Sequence, residues 1–181
     1  MDIVRFISQS ISQVQMRLLA TCDGLTQEQA LWRPAPHANN IVFILWHVGR
    51  VEDTRISSLQ EPHPQIWESQ GWYEKFGQSV DAPDPGDRMG LRALSIPTLD
   101  VLLGYVKAVH QQTLEFLSAL KPDDLDAVPN SSQPERTVAD VFRHMITHKN
   151  NHHGQIDYIR GLQEETWDLP PGTGAVLPQS E

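Results

Sequence analysis

The sequence predicts an all-α protein, a four-helix bundle with a long loop between its second and third helices. Two observations lead to that prediction. Four segments of the 181-residue chain place apolar residues at steps of three and four, the spacing of one helix face. No segment sustains the alternation of apolar and polar residues that a half-buried strand requires, so the helices must bury their stripes against one another.

The first helix is expected over Ile3 to Cys22, with Ile3, Ile7, Ile11, Val14 and Leu18 on one stripe, and it should stop near Asp23-Gly24. Thr26 and Gln29 then fit a capping box, and Pro34 stops any helix begun there, which leaves one short turn. Asn40 is a cap for the second helix, where Ile41-Val42-Phe43-Ile44-Leu45-Trp46-His47-Val48-Gly49-Arg50-Val51 is apolar nearly all round and should be the most buried helix. His47 lies in line with Ile44 and Val51 and therefore points inward.

From Leu59 the period dissolves into a stretch rich in Pro, Gly and Asp that also holds Trp67, Trp72, Tyr73 and Phe76. Loops this long inside a domain are usually functional or carry structure of their own. A lid or wall over one end of the bundle is expected, with a short helix around Ile66 to Trp72. The third helix starts at the Thr98 cap and places Leu99, Leu102, Leu103, Val106, His110, Leu114, Leu117 and Leu120 on its stripe. A connection rich in Asp, Pro and Ser, from Lys121 to Arg136, leads to the fourth helix, Thr137 to Leu162, where Thr137 and Asp140 again form a capping-box pattern. Residues 1–165 are expected to form one bundle domain and 166–181 an irregular tail.

Charge narrows the partners. Fourteen Lys and Arg against 23 Asp and Glu leave a net charge of −9, which argues against a nucleic-acid footprint and against anionic membrane surfaces. The N-terminus lacks the continuous apolar core of a signal peptide, and no run approaches the roughly 20 apolar residues of a spanning helix, so a cytoplasmic location is the default expectation. With Cys22 as the only cysteine, neither an internal disulfide nor a thiolate metal cluster can form. A quiet residue near a helix end is expected there.

Four of the eight histidines, His144, His148, His152 and His153, crowd into the fourth helix. Its stripe of Val138, Val141, Phe142, Met145, Ile156, Ile159 and Leu162 has a gap in the middle, and continuing it from Met145 to Ile156 lands on His148 and His152. Four residues apart, these two lie roughly 40° from each other around the helix, so their ring nitrogens can converge on one ion. Together with an inward His47 they would make a facial tripod that leaves coordination positions free for water or substrate. Taken alone, His47 reads equally well as a hydrogen-bonded core histidine. Imidazoles suit Zn, Ni, Fe or Cu, and the lack of cysteine partners removes a structural zinc site.

The remaining histidines rank below these. His144 is rotated by roughly 80° from His152 and suits a supporting role, while His153, roughly 100° from His152, is set aside as a supporting or solvent-facing residue. His110 should hydrogen-bond within the third helix's stripe, and His37 and His63 should be solvated in loops. A di-iron bundle would need Glu-x-x-His on two helices, and none of the ten glutamates has a histidine three positions later. Nor is there a His-Glu-x-x-His, a Gly-x-Ser-x-Gly or a phosphate-cradling glycine loop. No residue beyond the histidines stands out as a general acid or base.

The stretch Leu45-Trp46-His47-Val48-Gly49-Arg50 and the stretch from His144 through His148-Lys149-Asn150-Asn151-His152-His153-Gly154-Gln155 to Ile156 resemble the DinB-like (damage-inducible protein) superfamily of metal-binding four-helix bundles. The segment from Leu25-Thr26 to Pro34 and the loop from Trp67 to Phe76 are similar too, so the likeness covers most of the chain from Met1 to about Leu162. By that resemblance His47, His148 and His152 are the ligands of one divalent metal ion, Zn, Ni or Fe. One departure is His153, where many relatives carry Arg before Gly-Gln. The resemblance implies a metal-dependent enzyme such as a low-molecular-weight-thiol S-transferase, with a small-molecule substrate, a thiol cosubstrate and a homodimeric assembly. A metal-dependent hydrolase and a non-catalytic metal-binding stress-response dimer are the alternatives. It does not imply DNA chemistry.

Overall fold

The structure is a computed structural model and describes residues 2–60, 63–129, 136–169 and 173. Among these residues helices are the only regular elements: α1 (Ile3–Cys22), α2 (Gln27–Leu31), α3 (Ile41–Leu59), α4 (Ile66–Ser69), α5 (Trp72–Phe76), α6 (Arg88–Ala93), α7 (Leu99–Ala119), a 3-10 turn (Pro122–Asp126) and α8 (Val138–Gln163). The four long ones, α1, α3, α7 and α8, are the four helices that the apolar periodicity predicts. No helix among the described residues is long and apolar enough to cross a membrane. The chain divides into two compact units, one made of Met1–Gly24 with His110–Glu181 and the other of Leu25–Val109.

In the first unit α1 packs along α8. Ile7, Ile11, Val14 and Leu18 of the predicted stripe are buried, whereas Ile3 in the first turn is exposed. Asp2 caps that turn by accepting the Arg5 N–H at 2.8 Å. At the other end the Arg160 guanidinium donates to the carbonyls of Thr21 and Asp23, both at 3.0 Å. A buried arginine from α8 thus satisfies carbonyls that the last turn of α1 leaves open. Arg160 lies three residues from the end of α8, so the C-termini of α1 and α8 share one end of the unit. The same guanidinium meets Glu164 at 3.2 Å and lies 3.9 Å from the Trp167 ring centroid. Trp167 in turn donates its indole N–H to Asp157 at 2.9 Å. The start of the irregular tail is therefore folded back on α8, and its remainder, apart from Thr173, lies outside the described residues, as do 130–135 of the connection before α8.

The second unit is built round α3. Asn40 caps it by accepting the Phe43 N–H at 3.0 Å and donates to the Leu31 carbonyl at 3.1 Å, which ties α2 to α3. As expected, α3 buries residues on nearly every side, and the burial extends to charged Arg50, Glu52 and Asp53. Asp53 is fully buried and organises the long loop. Its carboxylate accepts the backbone N–H groups of Ile66 at 3.0 Å and Trp67 at 2.9 Å, and the Tyr105 hydroxyl at 2.8 Å. Arg50 donates to Gln65 at 2.8 Å and spreads over the Trp67 ring at 4.1 Å. Trp67, Phe76 and Tyr105 then meet edge to face at 5.1–5.5 Å.

This alters the expectation of an aromatic lid. Trp67 and Phe76 are 2% and 1% exposed, so both are spent on the core of their own unit. The loop does carry local structure, as three short helices, α4, α5 and α6, two of them where one was expected around Ile66 to Trp72. Gly71 separates α4 from α5 in the left-handed region, φ 63°, where a side chain would be strained. Glu61 and Pro62 lie outside the described residues. Gly49 has a different reason to be glycine, because a Cβ there would come within 2.9 Å of the Tyr105 ring. On α7 the buried residues are Leu99, Leu102, Tyr105, Val106, Val109, Thr113 and Leu117, so Tyr105, Val109 and Thr113 take core places that the expected stripe gave to Leu103, His110 and Leu114.

Candidate metal centre

α8 begins with the capping box its sequence predicts. Thr137 Oγ1 accepts the Asp140 N–H at 3.2 Å, and Asp140 Oδ2 accepts the Thr137 N–H at 3.2 Å. The Thr137 amide and hydroxyl, with Arg143 beyond them, hold the Asp140 carboxyl below the usual carboxylate range. From that start the helix runs 26 residues without a break. His144, His148 and His152 occupy successive turns.

The ring centroids of His148 and His152 are 4.4 Å apart and edge to face, whereas His144 stands 5.5 Å from His148. Both pairs have the i, i+4 spacing, and the tighter of the two is the pair that continues the apolar stripe from Met145 to Ile156. Both of its rings are half-buried. His152 Nδ1 lies 2.9 Å from Gln155 Oε1, one turn further on.

The buried seam of α8 does not run through this pair, and here the expectation from periodicity needs correction. From Met145 onward the buried residues are Met145, Lys149, His153, Ile156, Ile159 and Arg160. The 11 positions from Met145 to Ile156 can be crossed through His148 and His152, in steps of 3, 4 and 4, or through Lys149 and His153, in steps of 4, 4 and 3, and both crossings stay on one helix face. The core takes the second. His148 and His152 sit on the shoulder of the seam, which suits a ligand that must meet both protein and solvent.

His153, set aside from the sequence, is buried at 4% exposure. Thr21 Oγ1 donates its only proton to the Arg17 carbonyl at 2.9 Å, so His153 Nε2, also at 2.9 Å, must be the donor to Thr21. Desolvation, and secondarily Arg17, keep the His153 ring below the ordinary imidazole range. It is a packing histidine that joins α8 to α1, and only testing both crossings of the gap would have found it.

His47 belongs to the other unit, on α3. Its ring is half-buried and lies parallel to Phe43, with centroids 6.4 Å apart. His37 and His63 are exposed, in line with the expectation for loop histidines, and His110 is half-buried on α7.

Cys22 offers no competing soft ligand. Burial pushes its thiol up to about 12, with Arg160 opposing weakly. The native protein should give no colour with a dithiobis-nitrobenzoate reagent at pH 8, and the guanidinium-unfolded chain should give one thiol; rapid reaction of the folded protein would contradict this burial.

The donors fit a divalent ion of borderline softness: neutral imidazoles, half-buried, in an acidic chain without a thiolate.

A family model of the DinB superfamily matches residues 10–156. None of the curated proteins matches the chain. Among solved structures, a conserved protein from Enterococcus faecalis is 26% identical, over 90% of this chain and 97% of that one, with a TM-score of 0.78. All-helical architecture, the long-helix pattern and the family match agree, and the chain belongs to the DinB superfamily.

Proposed function

We propose that the protein holds one divalent metal ion on His47, His148 and His152 and that it is a metal-dependent transferase using a low-molecular-weight thiol. The observation that supports this most directly is the His148–His152 pair, two half-buried imidazoles 4.4 Å apart on a superfamily member. His47 from α3 supplies the third nitrogen donor, and three protein ligands leave room for an exchangeable one. When bound, a divalent ion lowers the pKa of a coordinated thiol or water, which makes either a nucleophile at neutral pH. The chain's own part is to hold unprotonated imidazoles in place and to keep bulk water off one side of them.

The test is a panel assay on the metal-loaded protein. Several low-molecular-weight thiols are offered with the electrophile monochlorobimane, beside ester and amide substrates. Thiol conjugation that disappears with the metal and in His148→Ala supports the proposal. Ester or amide cleavage alone turns the reading to a hydrolase, and inertness in every assay with metal bound turns it to a non-catalytic binding protein.

A further inference from the structure

We propose that Gln155 is the positioning residue that makes His152 a competent ligand, by accepting the Nδ1 proton and leaving Nε2 as the unprotonated nitrogen. This role rests on the three-histidine site. The geometry behind it is the 2.9 Å contact between His152 Nδ1 and Gln155 Oε1, across one turn of α8. An amide oxygen can only accept, so the ring must carry its proton on Nδ1. A neutral imidazole has one N–H and one lone pair, and the lone pair is then on Nε2.

The neighbouring histidine shows what the opposite arrangement does. His153 Nε2 donates to Thr21, so that nitrogen holds a proton and cannot ligate. Adjacent residues of one helix thus have opposite tautomers: an acceptor meets Nδ1 of His152 and an acceptor meets Nε2 of His153. Metal-bound histidines commonly donate their second nitrogen to a carbonyl or carboxylate in this way, which fixes ring orientation and raises basicity. Gln155 is itself exposed and contributes nothing to the buried seam, so its side chain can be changed without disturbing the core.

Two variants test the role. Gln155→Leu removes the acceptor at similar size, and Gln155→Glu keeps an acceptor and strengthens it. Zinc affinity, read by competition against a chromophoric chelator, should fall roughly 10–100-fold in Gln155→Leu and return to the wild-type value or better in Gln155→Glu. In the metal-free proteins, ring 15N shifts should place the His152 proton on Nδ1 in the wild type and show that population reduced in Gln155→Leu, with thermal midpoints unchanged. A Gln155→Leu protein with wild-type zinc affinity and wild-type tautomer would overturn the role of Gln155 and leave the three-histidine site standing. A wild-type protein that binds no zinc, nickel or iron would overturn the site itself.

Discussion

Replacing His148 with Ala is expected to strip the purified protein of its metal. Elemental analysis should find about one equivalent of divalent ion per wild-type chain and essentially none in the variant. The reason is the small donor set. With three imidazoles and no thiolate or carboxylate among the proposed ligands, removal of one leaves two neutral donors. The loss should exceed the roughly 10–100-fold that removal of a supporting contact costs. His148 is half-buried and lies beside the core seam, so far-UV circular dichroism should be unchanged and the loss is not a failure to fold. The same measurement in the wild type identifies the ion. Stoichiometric metal retained by His148→Ala would sink the tripod; His153 next to the pair is buried against α1, where its Nε2 meets Thr21.

The largest stability effect is expected at Asp53. Asp53→Ala should destabilise the protein by about 3–5 kcal/mol, the cost of leaving a buried charge and its hydrogen-bond donors without a partner. Three donors converge there, the Ile66 and Trp67 amides and the Tyr105 hydroxyl, and the Arg50 guanidinium forms an ion pair at 3.7 Å. Truncation leaves the three donors facing a cavity and removes the carboxylate that offsets the Arg50 charge. Domains of this size have a total stability of about 5–15 kcal/mol, so urea unfolding should show a large fall in the midpoint. A change below about 1 kcal/mol would mean that the network contributes little. Asp53→Asn, which keeps one acceptor oxygen, should fall between.

Burial raises the Asp53 carboxyl above its ordinary 3.8, and its hydrogen bonds and Arg50 oppose the rise without cancelling it. A raised native pKa means that the folded state holds the proton more tightly than the unfolded one. Its contribution to stability is therefore full below pH 3.8 and declines as pH rises through the native value. Asp53→Ala should lose that slope along with the stability.

The protein's local features were legible in the residues themselves. The capping boxes of Thr26 with Gln29 and Thr137 with Asp140 form as read, because each joins residues three apart. That His148 and His152 are neighbours is legible for the same reason, since the helix puts positions i and i+4 side by side, although the 5.5 Å of His144–His148 against the 4.4 Å of His148–His152 depends on side-chain rotation. The all-α class came from four long apolar periods and the absence of an alternating one.

Tertiary structure decided the rest, wherever a residue's role depends on a partner far along the chain. The seam of α8 could cross its gap by two equivalent routes, and the packing of α1 chose the one through Lys149 and His153, the latter bonded to Thr21 132 positions away. The aromatic loop reads as a lid until Asp53 and Tyr105, 52 positions apart, are seen to hold it as the unit's own core. Periodicity states that a face will be buried; it does not state against what. That depends on shape and on which polar groups need partners once water is gone, and for Asp53, His153 and Arg160 those partners come from other elements.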